Sequence, residues 1–142
     1  MEPLSGIAEA DAALGRRFPL PTAALPLARW VEVRRLPGAG VEIEWNLDDT
    51  REGSPGRLAL YAGHEPPPGQ LPDDEVDATR IELAGRHVTV RRAPLPEAIV
   101  SLRPVWELRW RTTSLHLRLT AQGPWELPAV LAIAASVDLE TG

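Results

Sequence analysis

The chain holds no cysteine and no lysine, and its 142 residues include one methionine, one tyrosine and one phenylalanine. Without cysteine, disulfides, thiolate metal sites and cysteine nucleophiles are excluded. All fifteen basic residues are arginine, accompanied by fifteen prolines, eleven glycines and abundant alanine, the coding bias of a GC-rich bacterial genome. The arginines form no run longer than a pair. The clustered positive footprint of a nucleic-acid module is therefore missing, and no nucleic-acid partner is expected. Long apolar runs are missing too. The longest, residues 127–137, is far too short to cross a bilayer. Residues 1–15 carry Glu2, Glu9 and Asp11 and no apolar stretch, so they do not read as a secretory leader. No membrane insertion is expected. The chain reads as cytoplasmic, with an excised extracytoplasmic domain as the alternative.

What is present suits one core. Hydrophobic residues make up 44% of the chain, and residues 1–142 are the size of a single domain. Five of the seven aromatics are tryptophan, the large rings that anchor cores. The net charge of −5 is spread along the chain and speaks for solubility more than for a partner.

Periodicity supplies the elements. Residues 6–17 predict a helix after Ser5, with Ile7, Ala10, Leu14 and Phe18 near one face; Pro19 and Pro21 stop it. From Arg29 the period becomes two. Val31 and Val33, then Val41, Ile43 and Trp45 across a turn at residues 37–40, predict a hairpin with one buried face. Leu58, Leu60 and Ala62 mark the next strand, with Arg57 and Tyr61 on its other side. Residues 63–78, with four prolines and a run of acids, read as a long surface loop. Ile81, Leu83, Val88 and Val90 predict a second hairpin around Gly85–Arg86. In a third, a Thr113–Ser114 loop sets Trp110 opposite Leu117, Leu108 opposite Leu119 and Arg109 opposite Arg118. Residues 126–138 predict a closing helix with an apolar stripe of Leu127, Val130, Leu131, Ala134 and Val137. The expected fold is α+β: a mostly antiparallel sheet of about seven strands in sequential hairpins, with an N-terminal and a C-terminal helix packed on it.

The segments FPLPTAALP (18–26), VEIEW (41–45), LALY (58–61), IELAGRHVTVRR (81–92), ELRWRTTSLHLRL (107–119) and PWELPAVLAIAASV (124–137) follow a familiar order. It resembles an uncharacterised domain found behind zinc-finger anti-sigma factors and in lipoproteins of Gram-positive bacteria. Trp110 matches that family's hairpin tryptophan, and Ile133, Ala134 and Ser136 match its closing helix. The resemblance implies a sensory or accessory role and brings no catalytic residues. The chain departs from the family in having no zinc-finger module, transmembrane helix or lipoprotein cysteine.

Four groups of residues could carry chemistry. Arg109, Arg111, Arg118 and His116 share the polar side of the third hairpin. They form either an anion site or cross-strand pairs with glutamates such as Glu42, Glu44 or Glu82. On the reading that these charges are solvated, replacing Arg109 and Arg118 by alanine should leave Tm nearly unchanged. Trp30 and Tyr61 are predicted on the face opposite the apolar rows, where they either line a ligand cavity or are covered by packing. His64, His87 and His116 lack metal-ligand spacing, and the acids of residues 73–77 lack a calcium-loop glycine, so no metal and no cofactor are expected. GxSxG, HExxH and phosphate-loop motifs are missing, which leaves Glu42 and Glu44 as weak candidates for acid–base work. The reading is a non-enzymatic accessory or sensory domain that binds a protein partner or a small ligand. The alternatives are a small-molecule site on the sheet face, for an apolar or anionic ligand, and a homodimer through a sheet edge.

Overall fold

The apolar alternation from residue 31 onward builds one antiparallel sheet, and the fold is α+β. The computed structural model describes residues 2–4, 7–22, 30–36, 40–46, 57–66, 77–93, 105–112, 114–122 and 125–137. In chain order the elements are β1 (Glu2–Leu4), α1 (Ile7–Leu14), β2 (Trp30–Arg35), β3 (Gly40–Asn46), β4 (Arg57–Gly63), β5 (Asp77–Leu83), β6 (Arg86–Ala93), β7 (Val105–Arg111), β8 (His116–Gln122) and α2 (Leu127–Ala135). Seven strands are of ordinary length; β1 adds three residues at one edge. The order across the sheet is β1-β2-β3-β4-β8-β7-β6-β5.

That order corrects the expectation of sequential hairpins. Strands β1–β4 and β5–β8 each follow in order, but β4 pairs with β8 rather than β5. Burial explains the choice. In β8 Leu117, Leu119 and Ala121 are buried, so it belongs in the middle, between β4 and β7. In β5 Thr79, Arg80 and Glu82 are exposed, so it suits an edge. The chain between β4 and β5 must therefore cross three strands to the far edge, a distance of about 19 Å. The expected 63–78 loop is trimmed at both ends, because Gly63 and residues 77–78 are strand.

Both helices are shorter than their apolar patterns, and their ends show why. At the end of α1 Gly15 takes φ +80°, and its N–H and that of Arg16 both donate to the Asp11 carbonyl. The Asp11 carboxylate then accepts from the Phe18 N–H at 2.8 Å, turning the chain so that Phe18 is buried. At the end of α2 the Ser136 hydroxyl donates to the Ile133 carbonyl at 2.8 Å. The Ser136 carbonyl accepts from the Thr22 N–H at 2.9 Å, and Val137 bridges to Pro21. The proline-rich stretch after α1 thus clips onto the exit of α2.

Ala10, Leu14 and Phe18 on one side, and Val130, Ile133, Ala134 and Val137 on the other, cover the apolar rows of the sheet. Leu108, Trp110 and Leu117 share that interior, and Trp45 packs against it. Val31, expected in the row, is instead 46% exposed. β1 pairs only with residues 33–35 of β2, so among the described residues no strand flanks the Val31 end on that side.

Candidate functional site

The other face of the sheet carries the charge, and strand register orders it into rows. One row runs Arg80, Thr89, Arg109, Arg118, Tyr61, Glu42, Arg34 from β5 to β2. Beside it runs a row containing Arg91, Glu107, Thr120, Ala59, Glu44 and Glu32.

Toward β2 the charges are paired and half hidden. Arg34 reaches Glu32 at 2.5 Å, Glu44 at 3.0 Å and Glu42 at 3.4 Å. Burial opposes the Arg34 charge, but the hydrogen bonds it donates to Glu32 and Glu44 outweigh that and hold the guanidinium pKa above its usual value. Glu42 also accepts from Arg118 at 3.2 Å. Arg109 donates through Nε to Glu107 at 2.7 Å, and Glu107 is 3% exposed. The two arginines that face each other across β7 and β8 are therefore neutralised separately, Arg118 by β3 and Arg109 by its own strand. Glu42 and Glu44 are engaged by these arginines and do not converge on His116.

Tyr61 sits in the middle of the charged row with no solvent exposure. Its ring lies over the facing pair Gly40 and Gly63, where an added Cβ would run into Tyr61 or the neighbouring backbone. Its hydroxyl donates to the Glu65 carbonyl at 2.7 Å, and the Arg118 guanidinium lies 5.9 Å from the ring centre. Burial raises the phenol pKa to about 12, with Arg118 pulling the other way. Tyr61 is thus packed, not lining an open cavity. Trp30 falls in the row of Asn46 and Arg57, four residues along β4 from Tyr61, about 13 Å. Its side chain lies outside the described residues.

Toward β5 the charges are unbalanced. A cavity of about 330 Å³ is lined by Arg80, His87, Arg109, Arg111 and His116, with Thr89, Pro66, Trp110 and Leu117. Among the described residues no carboxylate lines it, and Arg80 and Arg111 make no ion pair there. Burial lowers the His116 pKa, and the Arg111 charge lowers it further against an opposing pull from Glu65. Of the expected anion residues, Arg109, Arg111 and His116 come together here, while Arg118 is drawn toward Glu42. Sequence reasoning missed Arg80 and Thr89 and weighed His87 only as a metal ligand. Their alternation puts them on the polar face, but only the β6–β7 pairing brings them beside Arg109.

His64 is used elsewhere. Its Nδ1 lies 3.1 Å from the Ser114 carbonyl and its Nε2 3.3 Å from the Leu14 carbonyl, so it ties the end of α1 to the β7–β8 turn. Among the described residues no three histidines and carboxylates gather as metal ligands. No described helix is long and apolar enough to cross a membrane. No family model, curated protein or solved structure was found to match the chain.

Proposed function

We propose that the chain is a binding module for a small anionic molecule, held through carboxylate or phosphate oxygens at the basic end of the charged face. One observation carries this reading. Elsewhere on that face arginines meet carboxylates, whereas the β5–β8 cavity sets Arg80, Arg111 and two histidines around the Glu107-paired Arg109, with no carboxylate among its described lining residues. Guanidinium forks suit such oxygens. Arg80 and Arg111 supply charge at the rim, and Arg109 and Thr89 form the floor between them. A binding module of this kind fits the accessory or sensory role that the resemblance implies.

Calorimetric titration with inorganic phosphate and, separately, with citrate tests the proposal and distinguishes the two oxygen chemistries. At least one should bind saturably. Replacing Arg80 and Arg111 together by alanine should weaken it by about tenfold or more, since a hydrogen bond to a charged group contributes about 1.5–3 kcal/mol. Both side chains are exposed, so Tm should stay nearly constant in the variant. No saturable heat with either anion would overturn the reading.

A further inference from the structure

β5 ends the sheet: β6 lies on one side of it and, among the described residues, no strand lies on the other. The hairpin to β6 decides which backbone groups face outward. Its loop is Ala84 and Gly85, both at positive φ, and Leu83 faces Arg86 across it. A two-residue loop makes that closing pair a hydrogen-bonded one, and the pairs alternate from there. Leu83, Ile81, Thr79 and Asp77 therefore turn their N–H and C=O toward β6. Glu82, Arg80 and Ala78 turn theirs away from the sheet.

A strand that pairs antiparallel with its own copy has a two-fold axis at one residue. Centred on Arg80 or on Glu82, the pairing sets like charges opposite each other, which is unfavourable. Centred on Ile81, it sets Arg80 of each copy opposite Glu82 of the other. Those residues are also the ones with outward backbone groups, so both cross-copy pairs are hydrogen-bonded as well as oppositely charged. On the opposite face Ile81 meets its own copy and Thr79 meets Leu83. Ile81 and Leu83 already pack against the core while remaining half-exposed, so the pairing extends that interior across the junction.

We propose that the β5 edge is a self-association site, joining two copies through an Ile81-centred antiparallel register into one continuous sheet. It stands independently of the anion reading, although Arg80 belongs to both surfaces. The charges that make a strand edge resist other pairings select this one.

Sedimentation across a concentration series, with Arg80→Glu, Glu82→Arg and their equimolar mixture, is the test. The wild type should move from 15.5 kDa toward twice that mass as concentration rises. Each single variant should weaken the dimer about tenfold or more, since two pairs per dimer become repulsive. The mixture should recover it as a heterodimer with opposite charges restored. Hydrogen exchange at the Arg80 and Glu82 amides should slow in the dimer and not in Glu82→Arg. A wild type that stays at 15.5 kDa throughout, or single variants that dimerise as well as it does, would overturn the proposal. Phosphate and citrate titrations of the wild type below the dimerising concentration report on the anion site separately, since Glu82→Arg would add charge opposite the cavity-lining His87.

Discussion

Tyr61 lies on the charged face of the sheet yet has no exposed surface, because two glycines make room for its ring. Gly40 and Gly63 face each other across β3 and β4, and the ring fills the space their missing side chains leave. An ionised phenol in that setting would lose hydration, which is why its pKa rises to about 12. The folded chain therefore holds the proton more tightly than the unfolded chain, whose tyrosine titrates near 10. The sign follows: the stabilisation is complete below about pH 10 and is lost as pH rises from there toward about 12, a total of about 2–3 kcal/mol. Tyr61 is the chain's one tyrosine, so its tyrosinate absorbance can be followed cleanly. The native chain should show no tyrosinate until well above pH 10, while the urea-unfolded chain titrates at the ordinary value. A native titration near pH 10 would mean the ring is open to water. The sequence placed Tyr61 on the polar face correctly, but the glycines that bury it are recognisable only once β3 and β4 are in register.

At the scale of elements, alternation was a good guide to faces and an incomplete one to pairing. The β7–β8 register was readable because both strands alternate strictly and their apolar rows must share a side. Its Thr113–Ser114 loop lacks good turn residues. The Thr112 hydroxyl compensates by accepting from the Leu115 N–H at 2.9 Å and the Ser114 N–H at 3.2 Å. The β5–β6 loop was expected at Gly85–Arg86 and instead lies at Ala84–Gly85, setting Ile81 opposite Val88 rather than Val90. A two-residue slip of that kind leaves each side chain on its original face, so the pattern cannot detect it. The ion pairs across these strands revise another expectation. Arg109 and Arg118 have side chains only 18% and 11% exposed and neutralise Glu107 and Glu42, whose side chains are 4% and 13% exposed. Replacing both arginines by alanine strands the buried Glu107 carboxylate and leaves Glu42 with Arg34 alone. It should cost about 3 kcal/mol and lower Tm by roughly 10 °C, contrary to the near-neutral change expected of solvated charges. Arg80→Ala with Arg111→Ala is the matched control, removing two arginines that make no ion pair among the described residues. Equal melting of the two double variants would place the β7–β8 arginines outside any structural network.

Across the whole molecule, the helix-covered apolar face was legible because its signal is local, whereas the β4–β8 junction was not. Local alternation says that β8 is buried, but its neighbour is chosen by a contact that closes only after β5, β6 and β7 have been laid down. That junction also places the basic and mixed halves of the polar face side by side. Arg118 on β8 turns toward Glu42, and His116, two residues earlier, stays with the arginines. The proton on His116 then becomes a reporter of the site. Burial and the Arg111 charge lower its pKa below the ordinary value, so the cavity's own groups disfavour the imidazolium. Linkage gives the sign for stability: the unfolded chain binds this proton more readily, so the contribution is intact above about pH 6.5 and declines as pH falls toward the lowered folded value. An anion reverses the balance by favouring the charged ring, and binding then takes up a proton. Affinity for sulfate, an anion whose own charge is constant over this range, should therefore increase as pH falls from about 7.5 to about 5.5. His87 lines the same cavity and Glu65 acts on His116 from the end of β4. The dependence should accordingly shrink in His116→Asn. An affinity that is flat with pH in the unmodified chain would remove His116 from the anion site, leaving the arginines to hold it alone.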